Sequence, residues 1–420
     1  MFIADFHIHS KYSRATSKDM DIPTLYQWAK IKGIGVLGTG DFTHPHYLQE
    51  LKQRLEPLGN GLFRYKEGKE DVLFILTTEV SNVFSAKGKG RRIHTLIFAP
   101  SFEVVDKINH YLEKRGDLLA DGRPTFGFHV KELVKIALDA SPDCLIVPAH
   151  IWTPWYGVLG ANGGFDSLEE TFEEEAKHIH AIETGLSSDA AMNWRLSALD
   201  HITLISNSDA HSPHKIGREA NVFLCPRDYY EIIETIKKKD ARRLLTTIEF
   251  YPQEGKYHYD GHRKCGVVLS PQETQKYNCL CPVCKQRLTV GVMHRIESLA
   301  DRPVGFRPPN AIPEIHLIPL EEIIAEALGK GVGTKAVQEE YHRLVSQAPE
   351  FDILLKLPLE ELTHFVPSAV LEGIKRVREE KVEIKPGYDG VYGEIKIFPE
   401  KSETEPKHGK QINIQQKSLF

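Results

Sequence analysis

Asp5-Phe6-His7-Ile8-His9-Ser10 is the stretch on which the fold turns. Phe2, Ile3 and Phe6 give it the short apolar run of a buried strand, and residues two apart on a strand share a face, so both imidazoles converge on one point. A metal ion or a hydrogen-bonded histidine pair would each account for that convergence. Working outward, six more apolar runs end in or adjoin polar, titratable residues: GIGVLGTGDF at 33–42, VLFILTTEV at 72–80, HTLIF at 94–98, CLIVPAHIW at 144–152, HAIETG at 180–185 and ITLISNSDAH at 202–211. They read as parallel strands. Helical patterns lie between most of them, clearest in EVVDKINHYLEKRG, where Val104, Val105, Ile108 and Leu112 fall at helical spacing, and in VKELVKIALDA. Repeated βα units predict an α/β fold, either a barrel or an open doubly wound sheet, with functional residues at the strands' C-terminal ends.

The ligand-type residues fall there. His7 and His9 end the first strand, Asp41 the second, Glu79 the third, His150 the fifth, Glu183 the sixth, and Asp209 with His211 the seventh, while His94 opens the fourth. So many on one rim predict a multinuclear metal centre. Imidazoles mixed with carboxylates suit Zn²⁺, Mn²⁺ or Fe²⁺, and a rim without thiolates is not that of a structural zinc site. Such a centre fits phosphate-ester hydrolysis, with Asp209, His150 and Glu79 as the expected catalytic residues.

These residues resemble the polymerase-and-histidinol-phosphatase (PHP) domain over about residues 1–250. The resemblance implies a distorted seven-stranded βα barrel holding up to three metals. Carried over by position, His7, His9, Glu79 and Asp209 would hold one metal, Glu79 would bridge to a second held by His94 and His150, and Asp41 with His211 would hold the third. The second motif usually has histidine where this chain has Asp41, and no histidine stands near Ser13 and Arg14, so the third site calls for His44 or a water.

The 420 residues, with net charge −5, are too many for one ordinary core and exclude a histone-like polybasic binder. No run of about 18 apolar residues and no signal peptide is visible, which predicts a cytoplasmic protein with no membrane association. Of six cysteines, Cys144 and Cys225 sit in apolar segments, whereas Cys265, Cys279, Cys281 and Cys284 lie in metal-like spacing between short β patterns and predict a structural zinc ribbon. Cys279-x-Cys281 is tight for a ribbon, so His262 is the alternative fourth ligand.

Several stretches suit a polymer substrate. Lys87, Lys89, Arg91 and Arg92 form a basic, glycine-rich segment before His94, either a phosphate-backbone grip or a solvated hairpin tip. Trp152, Trp155 and Tyr156 follow His150 on the rim and either stack on bases, line a pocket or belong to the core. Farther on, the helical patterns PLEEIIAEALG, KAVQEEYHRLVSQ and PSAVLEGIKRVREE surround Gly329 to Lys335, where Lys330 and Lys335 beside a helix N-terminus make a phosphate clamp or a plain turn. A hairpin, PGYDGVYGEIKIF, closes this region, and residues 399–420 read as a flexible polar tail.

A PHP barrel followed by a cysteine knuckle and a helical domain resembles, over nearly the whole chain, the archaeal endonuclease Q family of DNA repair nucleases. The domains expected are 1–250 (PHP), 251–300 (zinc-binding), 301–398 (helical, DNA-binding) and 399–420 (tail). The resemblance implies nicking 5′ of deaminated bases and abasic sites in damaged DNA, with Mg²⁺ or Mn²⁺ for activity and Zn²⁺ in the ribbon and the active site. A small-molecule phosphatase or a scaffold with a silent barrel are the alternatives. Gln416-Lys417-Ser418-Leu419-Phe420 resembles the first half of a sliding-clamp-binding box, implying a clamp (PCNA) partner unless the half-motif is accidental; the missing half would be explained by truncation.

Overall fold

The computed structural model describes residues 1–398, so the expected tail and its clamp motif lie outside the described residues. Two compact units divide the chain, one of residues 1–318 with 385–394 and one beginning at 319.

Seven strands form the frame of the first unit: β1 (Phe2–Asp5), β2 (Val36–Gly38), β3 (Leu73–Ala86), β4 (Lys89–Ala99), β5 (Leu145–Pro148), β6 (Ala181–Glu183) and β7 (Thr203–Ile205). They coincide with the seven apolar runs. The pairs β1–β2, β2–β3 and β6–β7 are parallel as expected, but β4 is antiparallel to both β3 and β5. The reason is local: β3 and β4 are the arms of one long hairpin, paired from Leu76↔Ala99 to Ala86↔Lys89. Its turn, Lys87-Gly88, has φ of 51° and 72°, the left-handed pair that matches the twist of a two-residue hairpin. Two narrower seams close the ring. Ile151 N donates to Glu183 O at 3.0 Å, and His9 N donates to Ala210 O at 2.9 Å beside the Ile8–Ala210 bridge. The barrel is distorted because the lower part of β1 pairs instead with Ala220–Phe223, which leads on to Leu244–Glu249 and, in parallel, Glu314–His316.

Amphipathic helices cover the ring. Phe102–Leu112 starts at Ser101, whose side chain accepts from Val104 N, and buries Val105, Ile108 and Leu112. Val130–Ala140 buries Leu133, Val134 and Ala137. Phe6, Val36, Ile75, Phe98, Val147 and Ile205 meet in the core cluster. At about 25 cal/mol per Å² of apolar surface removed from water, this burial is the main force holding the ring together.

The division differs from the expected boundaries at 250 and 300. Glu314–His316 pairs with Leu244–Glu249, so the sheet carries the first unit to residue 318 and takes the cysteine segment with it. The second unit is helical: Leu320–Ala327, Lys335–Val345 and Ser368–Arg378 bury Ile323, Ile324, Val337, Leu344, Val370 and Ile374. Its buried Glu350 carboxylate accepts from Leu320 N at 3.0 Å and from the Tyr341 hydroxyl at 2.6 Å. Among the described residues no helix is long and apolar enough to cross a membrane.

Candidate metal centre

At the C-terminal rim of the ring, His7 and His9 meet Glu79 and Asp209. Their facing atoms are 3.1 to 3.6 Å apart: His9 Nε2 to Asp209 Oδ1 is 3.1 Å, His9 Nε2 to Glu79 Oε2 is 3.2 Å, and His7 Nε2 is 3.6 Å from both carboxylates. Four donors around one ion at zinc-like bond lengths stand ~3.4 Å apart, so the spacing is that of a tetrahedral cradle. His7 Nε2, His9 Nε2 and Asp209 Oδ1 are buried and have no hydrogen-bond partner, as expected of atoms aimed at a cation. A second group shares Glu79. Its Oε1 is 2.8 Å from His94 Nδ1 and 2.9 Å from His150 Nε2, and those two nitrogens are 3.2 Å apart. Both groups qualify as sets able to hold a metal ion.

The histidines are held from behind. Glu183 accepts from His7 Nδ1 at 3.0 Å, from His150 N at 2.8 Å and from Asn207 Nδ2 at 2.9 Å, which fixes the His7 ring with Nε2 facing the site. Asp41 does the same for His9, whose Nδ1 lies 3.0 Å away, and also accepts from Ser10 N, Ser10 Oγ and Ser13 Oγ. Asp41, His150 and Asp209 all have positive φ, of 44°, 31° and 48°. Three non-glycine residues in this sparsely populated region mark backbone strain stored where the ring delivers its side chains. Gly185 lets one of them sit there: its φ is 63°, and an added Cβ would stand 2.5 Å from His150 Cβ.

Charge follows geometry. Burial opposes ionisation of Glu79, but His94, His7 and Arg123 outweigh it and hold the carboxyl well below its usual range. Burial, with His150 and Arg123 near, pushes His94 down to about 4 against the pull of Glu79, leaving it neutral and ready to ligate. Arg123 Nη1 donates to Glu79 Oε2 at 2.9 Å. The site opens into a cleft of about 500 Å³ bordered by Arg14, Arg123, Thr153, Tyr156 and Ser187.

The structure therefore brings His7, His9, Glu79, His94, His150 and Asp209 together, and among the described residues Asp41 and His211 belong to no further group of three or more such donors. Asp41 meets His9 Nδ1 and accepts from two serines, and so backs His9. His211 turns its Nδ1 to Asp209 O at 2.8 Å and tilts its ring against His9. Trp152 is corrected as well: 1% exposed, its indole N–H donates to Asn193 Oδ1 at 2.8 Å, so it anchors the core beneath the loop, whereas Trp155 is 52% exposed. Tyr156 lies against the His94 ring, with centroids 4.4 Å apart. The basic segment is a hairpin tip. Lys87 pairs with Glu170, Arg91 donates to Gly164 O and lies over the Phe165 ring, Arg92 reaches the Trp155 ring, and Lys89 is exposed. Lys330 and Lys335 are exposed at the helix-to-helix turn, with Lys335 pairing to Glu339.

In the cysteine segment, His262, Cys265, Cys281 and Cys284 converge, and Cys279 is outside the group. Two pairs with two residues between them, His262-x-x-Cys265 and Cys281-x-x-Cys284, each bring two donors onto one turn, while Cys279 has φ 58° and its backbone is used by Thr274 and Leu288. Arg123 and the backing role of Glu183 escaped sequence reading. Glu183 was visible as a rim residue, but Arg123 sits in a loop, GRPTFG, with no motif around it.

A βα ring with this rim defines a metal-dependent nuclease of the PHP class once its relatives are considered. Over 95% of its length, this chain is similar to the lesion-specific endonuclease PfuEndoQ from Pyrococcus furiosus, with 34% identity, 96% of that chain covered and a TM-score of 0.84. It matches equally endonuclease Q complexed with a 27-mer duplex substrate bearing an abasic lesion at the active site (34% identity, 95% of this chain, 97% of that chain, TM-score 0.81). The chain belongs to the endonuclease Q family. Protein YqxK of Bacillus subtilis is 29% identical over 94% of this chain and 98% of its own length. Protein MJ0043 of Methanocaldococcus jannaschii is 34% identical over 265 residues, which are 60% of this chain and 32% of that protein, so the match spans about a third of its length. The family model of the MJ0043 C-terminal domain matches residues 319–381, within the second unit.

Proposed function

We propose that this protein is a DNA repair endonuclease that hydrolyses the phosphodiester bond 5′ of deaminated bases (uracil, hypoxanthine, xanthine) and of abasic sites, leaving a 3′-hydroxyl and a 5′-phosphate. The observation that carries the chemistry is the pair of ligand sets sharing Glu79 beneath an open cleft. His7, His9, Glu79 and Asp209 would hold one divalent cation and Glu79, His94 and His150 another, with Mg²⁺ or Mn²⁺ for activity and Zn²⁺ at the cysteines. Divalent cations held by these residues would supply a water activated near neutral pH and offset charge on the phosphate oxygens. Glu183 and Asp41 hold His7 and His9 in the ligating orientation, so little reorganisation is needed. Arg123 presents a guanidinium beside Glu79 on the cleft wall, where it suits a phosphate oxygen.

Lesion choice rests on family membership and on the abasic duplex at the active site of the related enzyme. Physical sense supports it, because a mispaired uracil or hypoxanthine costs less to extrude than a paired base, by part of a few kcal/mol. In this reading exposed Trp155, and Tyr156 on the cleft, would stack on extruded or flanking bases, while exposed Lys89, Lys330 and Lys335 would offer charge to the backbone. The deciding experiment is an end-labelled duplex with one dU, incubated with Mn²⁺ or Mg²⁺, with mass analysis of both fragments. The downstream fragment should begin with a 5′-phosphate and keep its uracil. Free uracil would replace this chemistry with glycosidic cleavage, and equal cutting of undamaged duplex would reduce the enzyme to a general nuclease.

A further inference from the structure

Apart from the rim and the cysteine cluster, one more set of metal-type side chains converges in the first unit. Asp189, Glu314 and His316 each place a donor atom within 4.8 Å of the others. They come from separated parts of the chain: Asp189 precedes the short helix Ala190–Asn193, and Glu314 and His316 alternate on the strand Glu314–His316, sharing one of its faces. His316 Nε2 is 3.5 Å from Asp189 Oδ2, near the ~3.4 Å between neighbouring donors of one tetrahedral zinc. The His316 ring is stacked on Tyr251, with centroids 5.0 Å apart, which fixes its plane.

A second observation points to a ligand. Glu249 is the register partner of His316 in the parallel ladder and is wholly buried. Its Oε2 accepts from Thr184 Oγ1 at 3.0 Å and from Ser206 Oγ at 3.1 Å, whereas its Oε1 is buried and closes no well-formed hydrogen bond, with the Thr247 side chain nearby favouring its charged form. Paired strand residues project to the same side of a sheet, so this carboxylate stands on the side of His316, and both His316 and Asp189 act on its charge. Backbone donors satisfy only part of the set. Asp189 Oδ1 accepts from Met192 N at 2.8 Å, and Glu314 accepts from Ala190 N at 2.6 Å and Ala191 N at 3.2 Å, which orients both carboxylates and leaves lone pairs for a cation. A wholly buried carboxyl oxygen without a hydrogen bond, beside two carboxylates and an imidazole, is the kind of atom a cation would satisfy.

We propose that Asp189, Glu314 and His316, backed by Glu249, bind a divalent cation at a site separate from the catalytic rim and from the cysteine cluster. One imidazole among carboxylates selects the Zn²⁺ and Mn²⁺ class over Ca²⁺. Its effect is structural: Gly185, Leu186 and Ser187 line the catalytic cleft just before Asp189, so the cation ties that cleft wall to the edge of the sheet.

Crystals of the full chain soaked at saturating Mn²⁺ and measured at the manganese edge should show an anomalous peak among Asp189, Glu314 and His316 in addition to the rim peaks. Metal analysis after gel filtration should find one equivalent fewer in His316→Ala and in Glu314→Gln than in the unaltered protein, with rim and cysteine-bound metal retained. The map needs no variant, so a substitution that fails to fold leaves the test intact. Rim peaks with nothing at this cluster, or folded variants with an unchanged metal count, would overturn the proposal.

Discussion

The rim set of His7, His9, Glu79 and Asp209 and the cysteine cluster are both four-donor groups able to hold a metal ion, yet they are built in opposite ways. The rim draws on residues from His7 to Asp209, delivered by strand ends far apart in sequence, and its histidines are buried and oriented from behind by Glu183 and Asp41. The cysteine cluster draws on His262 to Cys284, with Cys281 buried and Cys284 exposed. Burial opposes the Cys281 thiolate, but the N–H groups of Cys284 and Val283 bring the thiol down to about 6. The hydrophobic ring holds the rim in place whether or not metal is bound, whereas the short chain around the cysteines has little core of its own. In the first, the fold would position a metal; in the second, a metal would help make the fold.

The sharpest way to break this comparison is at the rim. Asp209→Asn and His150→Ala should each lower nicking of a dU duplex by about a thousandfold or more, because each removes a ligand of the reacting centre, while melting remains cooperative and duplex affinity stays within about tenfold, or ~1.4 kcal/mol. Single-turnover rates read beside binding isotherms check it, and near-normal turnover in either variant would remove these residues from the reaction. Glu183→Gln, which weakens the backing of His7 and touches no substrate, should cost about 10- to 100-fold and be partly restored by excess Mn²⁺.

At the other site the failure should be one of folding. Cys284→Ser should release one zinc and strip hydrogen-exchange protection from residues 260–290 while the rim keeps its metals. Protection that persists after the zinc is gone would mean that this segment has a core sufficient without it.

The seven strands and the rim residues were legible because a strand read at period two puts its last polar residues on one side, and seven repetitions make the pattern hard to miss. Pairing direction was not legible. HTLIF reads the same whichever way it runs, and only the hairpin register through Lys87-Gly88 makes it antiparallel. Nor can residue type separate a ligand from its support: Asp41 and Glu183 look like ligands in sequence, and their roles follow from which nitrogen of His9 and His7 each one meets. Trp152 and Trp155, three positions apart, part company for a similar reason. One finds Asn193 beneath the loop and the other finds none.

Protons sharpen the contrast at a smaller scale. Without metal, burial alone would lower His7 and His9, but Glu183, Glu79 and Asp209 around His7, and Asp41 beside His9, raise both well above 6.5. A raised folded-state pKa gives the metal-free protein a stability increment that is complete below about pH 6.5 and is lost as pH climbs through the raised values. Metal displaces those protons, so the metal-loaded protein does not suffer this loss. The gap in melting temperature between Mn²⁺-loaded and rim-depleted protein should therefore widen as pH rises from about 6.5. A gap that is flat or that narrows would mean that the histidines are neutral before metal arrives.

The smallest expected effect concerns the loop above the rim, where the fold leaves one aromatic free. Trp152 is committed to the core, so its removal would report on stability and not on recognition. Trp155, 52% exposed and approached by Arg92 at 5.8 Å from its ring, has no such commitment. A base stacked on an aromatic is worth ~1–3 kcal/mol, and part of that is repaid when solvent covers the vacated surface. Trp155→Ala should then weaken binding of a dU duplex about five- to tenfold, with unchanged melting temperature and with a loss clearly smaller on undamaged duplex, because only an extruded or unstacked base presents a face to the indole. Equal losses on both duplexes would assign Trp155 to general backbone contact through Arg92, and no loss on either would leave Tyr156, against His94 on the cleft wall, as the aromatic that meets the DNA.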